Sequence, residues 1–130
     1  MTEKYYTPSI DEFHVGFEYE TYVPNKDVWS KEVFYMNESH IKLLNGIHLK
    51  LPTIRVKHLD GDDIRSLGFN CAWAEAYETI YEHDRIRSWV LTHTGFEYNI
   101  QINKGDAVYF RGTIRNKSEL VKLLKQLNIL

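Results

Sequence analysis

Between Glu12 and Glu20 the chain reads EFHVGFEYE, which puts Phe13, Val15, Phe17 and Tyr19 on one side of an extended backbone and His14, Gly16, Glu18 and Glu20 on the other. One-sided alternation belongs to antiparallel sheet with one wet face, since parallel strands buried on both faces read as continuous apolar runs. It returns in YNIQINK, where Tyr98, Ile100 and Ile102 alternate with Asn99, Gln101 and Asn103. This predicts strands over Phe13–Val23 and Val28–Met36, joined as a hairpin by PNKD. Further strands are expected through Ile54, Val56 and His58, and over Arg87–His93, Glu97–Asn103 and Ala107–Ile114. In NKGD, Gly105 can take the positive φ that a tight turn needs. CAWAEAYETIYEH fits both periods, and we read it as strand.

Helices are marked by punctuation. Asp60 stands at an N-cap with Asp63 three residues on, Leu59 and Ile64 have staple spacing, and Gly68 is placed as a stop. NKSELVKLLKQLNIL opens on Asn116 and Glu119 in capping-box spacing and puts Leu120, Leu123, Leu124 and Leu127 on one stripe. NESHIKLLNG should give one or two helical turns, with Asn37 as cap and Gly46 as stop. The expected fold is α+β: a mostly antiparallel sheet with a short middle helix and a C-terminal amphipathic helix packed on one face. With 130 residues and no linker-like tract, residues 1–130 are expected to form a single domain.

Composition removes several function classes. One cysteine, Cys71, allows no internal disulfide and no cysteine-based zinc cluster, and as a lone thiol it is expected to be a buried small hydrophobe. A net charge of -2 argues against a footprint for duplex nucleic acid or an anionic membrane. No apolar stretch has the length of a membrane span, and the N-terminus has no signal-peptide pattern. Glycine-rich phosphate loops, dinucleotide fingerprints and nucleophile elbows do not occur.

The blocks EFHVGFEYE, IRVKHLDGDDIRSLGF and RGTIRNKSELVKLLKQLNIL resemble those of small proteins of unknown function encoded by tailed phages and prophages of Bacteroidetes, including crAss-like phages. NKSELVKLLKQLNI is the most specific of them, whereas Phe69–His93 matches no block of that family. The resemblance implies a phage-like source, hence action in the host cytoplasm, and supplies no catalytic residues.

On a strand, His14, Glu18 and Glu20 would project from one side at about 7 Å spacing, the material of a divalent-cation site. GFEYE also resembles the G-x-E-x-E strand of carboxylate–amine ligases, although those domains are much longer. The plainer reading is that these side chains are the solvent face of a sheet. His58 and His93 lie in phase with apolar neighbours and are expected to be half-buried and hydrogen-bonded, and His83 is expected in a loop. HLDGDD lacks the remaining ligands of a calcium loop and is explained by capping.

Basic and aromatic residues coincide at Arg55 and Lys57, at Arg85, Arg87 and Trp89, and at Tyr109 with Arg111. Rings that stack and guanidinium groups that grip phosphate suit a compact anionic ligand. Aromatic residues make up 14% of the chain, which favours a binding role. The expectation is therefore a phage-encoded, non-catalytic binding protein that uses no cofactor. It would sequester or mask a host component: a small anionic ligand such as a nucleotide signal of anti-phage defence, or a host protein. Exposed β-edges would make it a homo-oligomer. The alternatives are a small metal-dependent enzyme using His14, Glu18 and Glu20, and a virion-associated or protein–protein interaction protein.

Overall fold

The structure, a computed structural model, describes residues 4–48, 54–84, 89–94 and 99–130. It is α+β, with antiparallel sheets of four and five strands, short middle helices and a C-terminal helix. Chain contacts divide it into two compact units, with the boundary between His58 and Leu59. Among the described residues no helix is long and apolar enough to cross a membrane.

In the first unit, β1 (Tyr5–Tyr6), β2 (Glu18–Val23), β3 (Val28–Val33) and β4 (Ile54–Lys57) form a sheet in the order β1-β4-β2-β3. The strand expected from Phe13 starts only at Glu18. The reason is a turn: the Phe17 N–H donates to the His14 carbonyl at 2.9 Å, and Gly16 sits at φ +92. Alternation persists through the turn because Phe13 still packs inward, 4.8 Å from Phe17 and 5.4 Å from Phe34 between ring centroids. The hairpin of β2 and β3 forms as expected, pairing Tyr22 with Trp29 and Glu20 with Lys31, but β3 ends at Val33 rather than Met36.

Helix α1 (Glu38–His48) is longer than expected. Asn37 caps it, accepting the His40 N–H at 2.9 Å, while the helix runs on through Gly46. A mid-helix glycine weakens a helix by only about 1 kcal/mol. Leu43 and Leu44 of α1 pack against the buried Phe17, Tyr19, Phe34, Ile54 and Val56.

In the second unit, β5 (Phe69–Ala74), β6 (Glu78–His83), β7 (Trp89–Thr94), β8 (Asn99–Lys104) and β9 (Ala107–Thr113) follow one another across the sheet. The ambiguous segment is thus two strands and a turn. Cys71 pairs with Tyr81 and Trp73 with Ile80, so Ala72 is extra and forms a bulge. A second bulge inserts Tyr109, since Ile102 faces Phe110 while Asn103 faces Val108. Arg87 and Glu97, the expected starts of two strands, lie outside the described residues.

The capping box before α2 (Gly61–Ser66) is present: the Asp63 N–H donates to Asp60 Oδ1 at 2.9 Å and the Asp60 N–H to Asp63 Oδ2 at 3.3 Å. Leu59 and Ile64 are both buried, and Gly68 follows at φ +96. Helix α3 (Lys117–Gln126) contributes buried Leu120 and Leu124, with Leu123 and Leu127 beside them, against a core that includes Leu91, Ile100 and Ile102. Full burial of each such side chain stabilises by about 1.5–3 kcal/mol. Asn116 accepts the Glu119 N–H at 2.8 Å, while the Glu119 carboxylate takes the Arg115 N–H.

Candidate functional site

The exposed face of the four-stranded sheet is built around Arg55. Along β4, Ile54 and Val56 are buried, which turns Arg55 and Lys57 to the opposite side. Register completes the set, because residues directly opposite each other share a face. Arg55 stands across from Glu20, Glu20 from Lys31, Lys57 from Tyr5, and Tyr22 from Trp29.

The Arg55 guanidinium carbon lies 3.7 Å from the Tyr5 ring centroid and 4.1 Å from that of Trp29. Its Nη2 is 3.3 Å from Glu20 Oε1. Trp29 in turn leans on Tyr22, centroids 5.4 Å apart, and the Tyr22 hydroxyl donates to Asp27. That hydrogen bond, with a smaller contribution from burial, holds Tyr22 above its ordinary pKa of 10.0. The result is a row of rings with a planar cation between two of them. Arg55 Nε is buried and has no hydrogen-bond partner among the described residues, so this cation keeps an unused donor.

Among the described residues, the basic and aromatic candidates of the second unit fall on two faces of its sheet. Trp89 is buried and meets Tyr109 edge-on at 4.9 Å, with Lys104 Nζ 5.5 Å from the Trp89 centroid. Arg111 lies on the other face, where its Nε donates to Gln101 Oε1 at 2.9 Å and Gln101 Nε2 donates to Asn103 Oδ1 at 2.9 Å. Arg85 and Arg87 lie outside the described residues. Arg55 and Lys57 belong to the first unit, whereas Trp89, Tyr109 and Arg111 belong to the second.

The row His14, Glu18, Glu20 is broken by Gly16. His14 sits in the turn, its Nδ1 3.0 Å from the Val15 carbonyl and its ring against Phe17, so it does not share a strand with the two glutamates. Glu20 faces Arg55. Among the described residues no three His, Cys, Asp or Glu side chains come together as a metal site would require.

His40, His58, His83 and His93 each pack within or beside the cores of their own units. His58 stacks on Tyr6 at 4.6 Å. His40, for which the sequence offered no pattern, is buried; its Nδ1 accepts the Tyr35 N–H at 2.8 Å. His83 lies buried at the end of β6 and edge-on to Phe69, instead of in a loop. His93 is half-buried, and desolvation pushes its pKa below the ordinary 6.5 against a weaker opposing pull from Asp60. Cys71 is exposed rather than buried, because it stands on the outermost described strand of its sheet.

Tyr5, Tyr22 and Trp29 are the members of the Arg55 face that sequence reading missed. The one local signal was the hairpin, whose short turn sets Tyr22 against Trp29. No family model, no curated protein and no solved structure matches this chain.

Proposed function

We propose that this chain is a phage-encoded, non-catalytic binding protein that sequesters or masks a host component, with a small anion bearing an aromatic ring as its ligand. A nucleotide signal of host defence has that chemistry. The observation that carries the reading is the Arg55 guanidinium held between Tyr5 and Trp29 on a sheet face opposite the packed core. Such a stack already balances a cation against rings, and an incoming base can replace one ring face while its phosphate meets Arg55 Nη and the neighbouring Lys31 and Lys57. Arginine suits this better than lysine, because its planar fork stacks and donates at the same time.

Calorimetry with a panel of nucleoside mono- and diphosphates and cyclic dinucleotides tests the proposal directly, alongside native mass spectrometry of protein recovered from infected cells. Binding by at least one nucleotide, weakened tenfold or more by Arg55→Ala, is expected. Absence of heat across the panel, together with recovery of only the bare chain mass, would refute it.

A further inference from the structure

The Nε–H of a guanidinium and one N–H of its Nη2 point the same way, a side-on fork that grips a carboxylate or a phosphate with two parallel hydrogen bonds. In Arg55 that fork is half used. Its Nη2 lies 3.3 Å from Glu20 Oε1, long beside the usual charge-assisted length of about 2.7–2.9 Å. Its Nε is shielded from solvent and has no hydrogen-bond partner among the described residues.

Glu20 is held just as loosely from its own side. Only 16% of its side chain is exposed, so the carboxylate has given up much of its hydration. Among the described residues, Arg55 is its one hydrogen-bond partner. A carboxylate withdrawn from water for the sake of the fold needs good geometry and most of its lone pairs satisfied, and Glu20 has neither.

Register explains what the carboxylate does occupy. Glu20 stands across from Arg55 on one side and from Lys31 on the other, so it sits between two cations on neighbouring strands, beside the ring of Trp29 that Arg55 touches. A phosphate gripped by the Arg55 fork would need that same place. An incoming carboxylate brings nothing that a tethered one lacks, and the tether gives Glu20 a high effective concentration. A phosphate brings more charge and a third oxygen, enough to fill Nε and Nη2 together and still reach Lys31.

We infer that Glu20 is an internal competitor for the anion site at Arg55: it covers the guanidinium, yields to a phosphate, and thereby excludes carboxylate ligands. The inference rests on the Arg55 face being a binding site and deepens that reading, since it makes the site selective for phosphate.

The test titrates the isotope-labelled full chain with inorganic pyrophosphate and with malonate, a carboxylate of similar shape, following the Arg55 Nε–H and Trp29 indole N–H resonances. In the parent, pyrophosphate should shift both signals and malonate neither. Glu20→Gln should bind pyrophosphate roughly fivefold more tightly and should now bind malonate as well. Glu20→Thr, which suits an exposed strand position, should repeat that gain and guards against a folding defect in the first variant. Glu32→Gln makes the same change in net charge on the other face, across from the buried Tyr19, and should gain nothing. Parent-like pyrophosphate affinity in both Glu20 variants would overturn the inference, as would an equal gain in Glu32→Gln. If no nucleotide binds while the Glu20 variants still gain pyrophosphate affinity, the nucleotide reading fails and the role of Glu20 stands. Nucleotide binding that is equally tight in the parent and the Glu20 variants would do the reverse, and silence of every protein toward every anion would sink both.

Discussion

Replacing Arg55 by alanine isolates what holds the exposed face of the first sheet together. The two ring contacts, at 3.7 and 4.1 Å, are each worth about 0.5–1 kcal/mol at a partly exposed site. The pair with Glu20 adds about 0.5 kcal/mol, discounted for solvent because the two side chains keep 26% and 16% of their exposure. Arg55→Ala should therefore lower stability by roughly 2 kcal/mol. With a urea slope of about 1–2 kcal/mol per molar, the unfolding midpoint seen by circular dichroism should fall by roughly 1–2 M. Arg55→Lys should fall between the two, since an ammonium keeps the charge and loses the planar stack. Arg55→Met keeps an apolar stem without charge and is the discriminating control. Parent-like stability in Arg55→Met would mean that the rings pack against the stem, and the cation–π account would fail. So would a loss below about 0.5 kcal/mol in Arg55→Ala.

Other outcomes follow from local geometry. Gly68→Ala meets two penalties, a φ of +96 and a new Cβ 3.2 Å from His83 Nε2, and should lower stability by about 1–2 kcal/mol in thermal melts. Gly105→Ala, at φ +59 with open space around it, should lose less than Gly68→Ala in the same assay. Asp60→Ala removes the cap of α2 and should reduce stability by about 1 kcal/mol, with faster hydrogen exchange in that helix. Burial lowers the pKa of His93 in the folded chain, so the unfolded chain takes up its proton first as pH drops. Stability from this residue is present above the ordinary 6.5 and is lost as pH falls below it toward the folded value. Urea unfolding at about pH 7.5 and 5.5 should show that loss in the parent, and a smaller one in His93→Gln.

What sequence reading captured was local. The box of Asp60 and Asp63, the burial of Leu59 and Ile64, the stop at Gly68 and the cap at Asn116 each involve residues within a few positions, where hydrogen-bond reach fixes the outcome. The turn at Gly105 is of the same kind. What escaped was set at long range. That β4 inserts between β1 and β2 depends on pairing between distant segments, and no periodicity encodes it. Arg55 was legible as an outward residue of a strand, but its two ring partners come from β1 and β3, so the stack was invisible before the strands were ordered. The opening row misled because a turn at His14–Phe17 preserves the inward placement of Phe13 and Phe17 that a strand would also give. Residues 71–82 defied a single label because the chain reverses within them, at Glu75–Tyr77.

The extra residues Ala72 and Tyr109 fall on the two outermost described strands of the five-stranded sheet. A bulge leaves a residue without a ladder partner and sharpens the local twist, so neither border offers the straight row of donors and acceptors on which a neighbour could crystallise outward. Growth of that sheet from molecule to molecule is thereby discouraged at both margins, a safeguard against fibre formation.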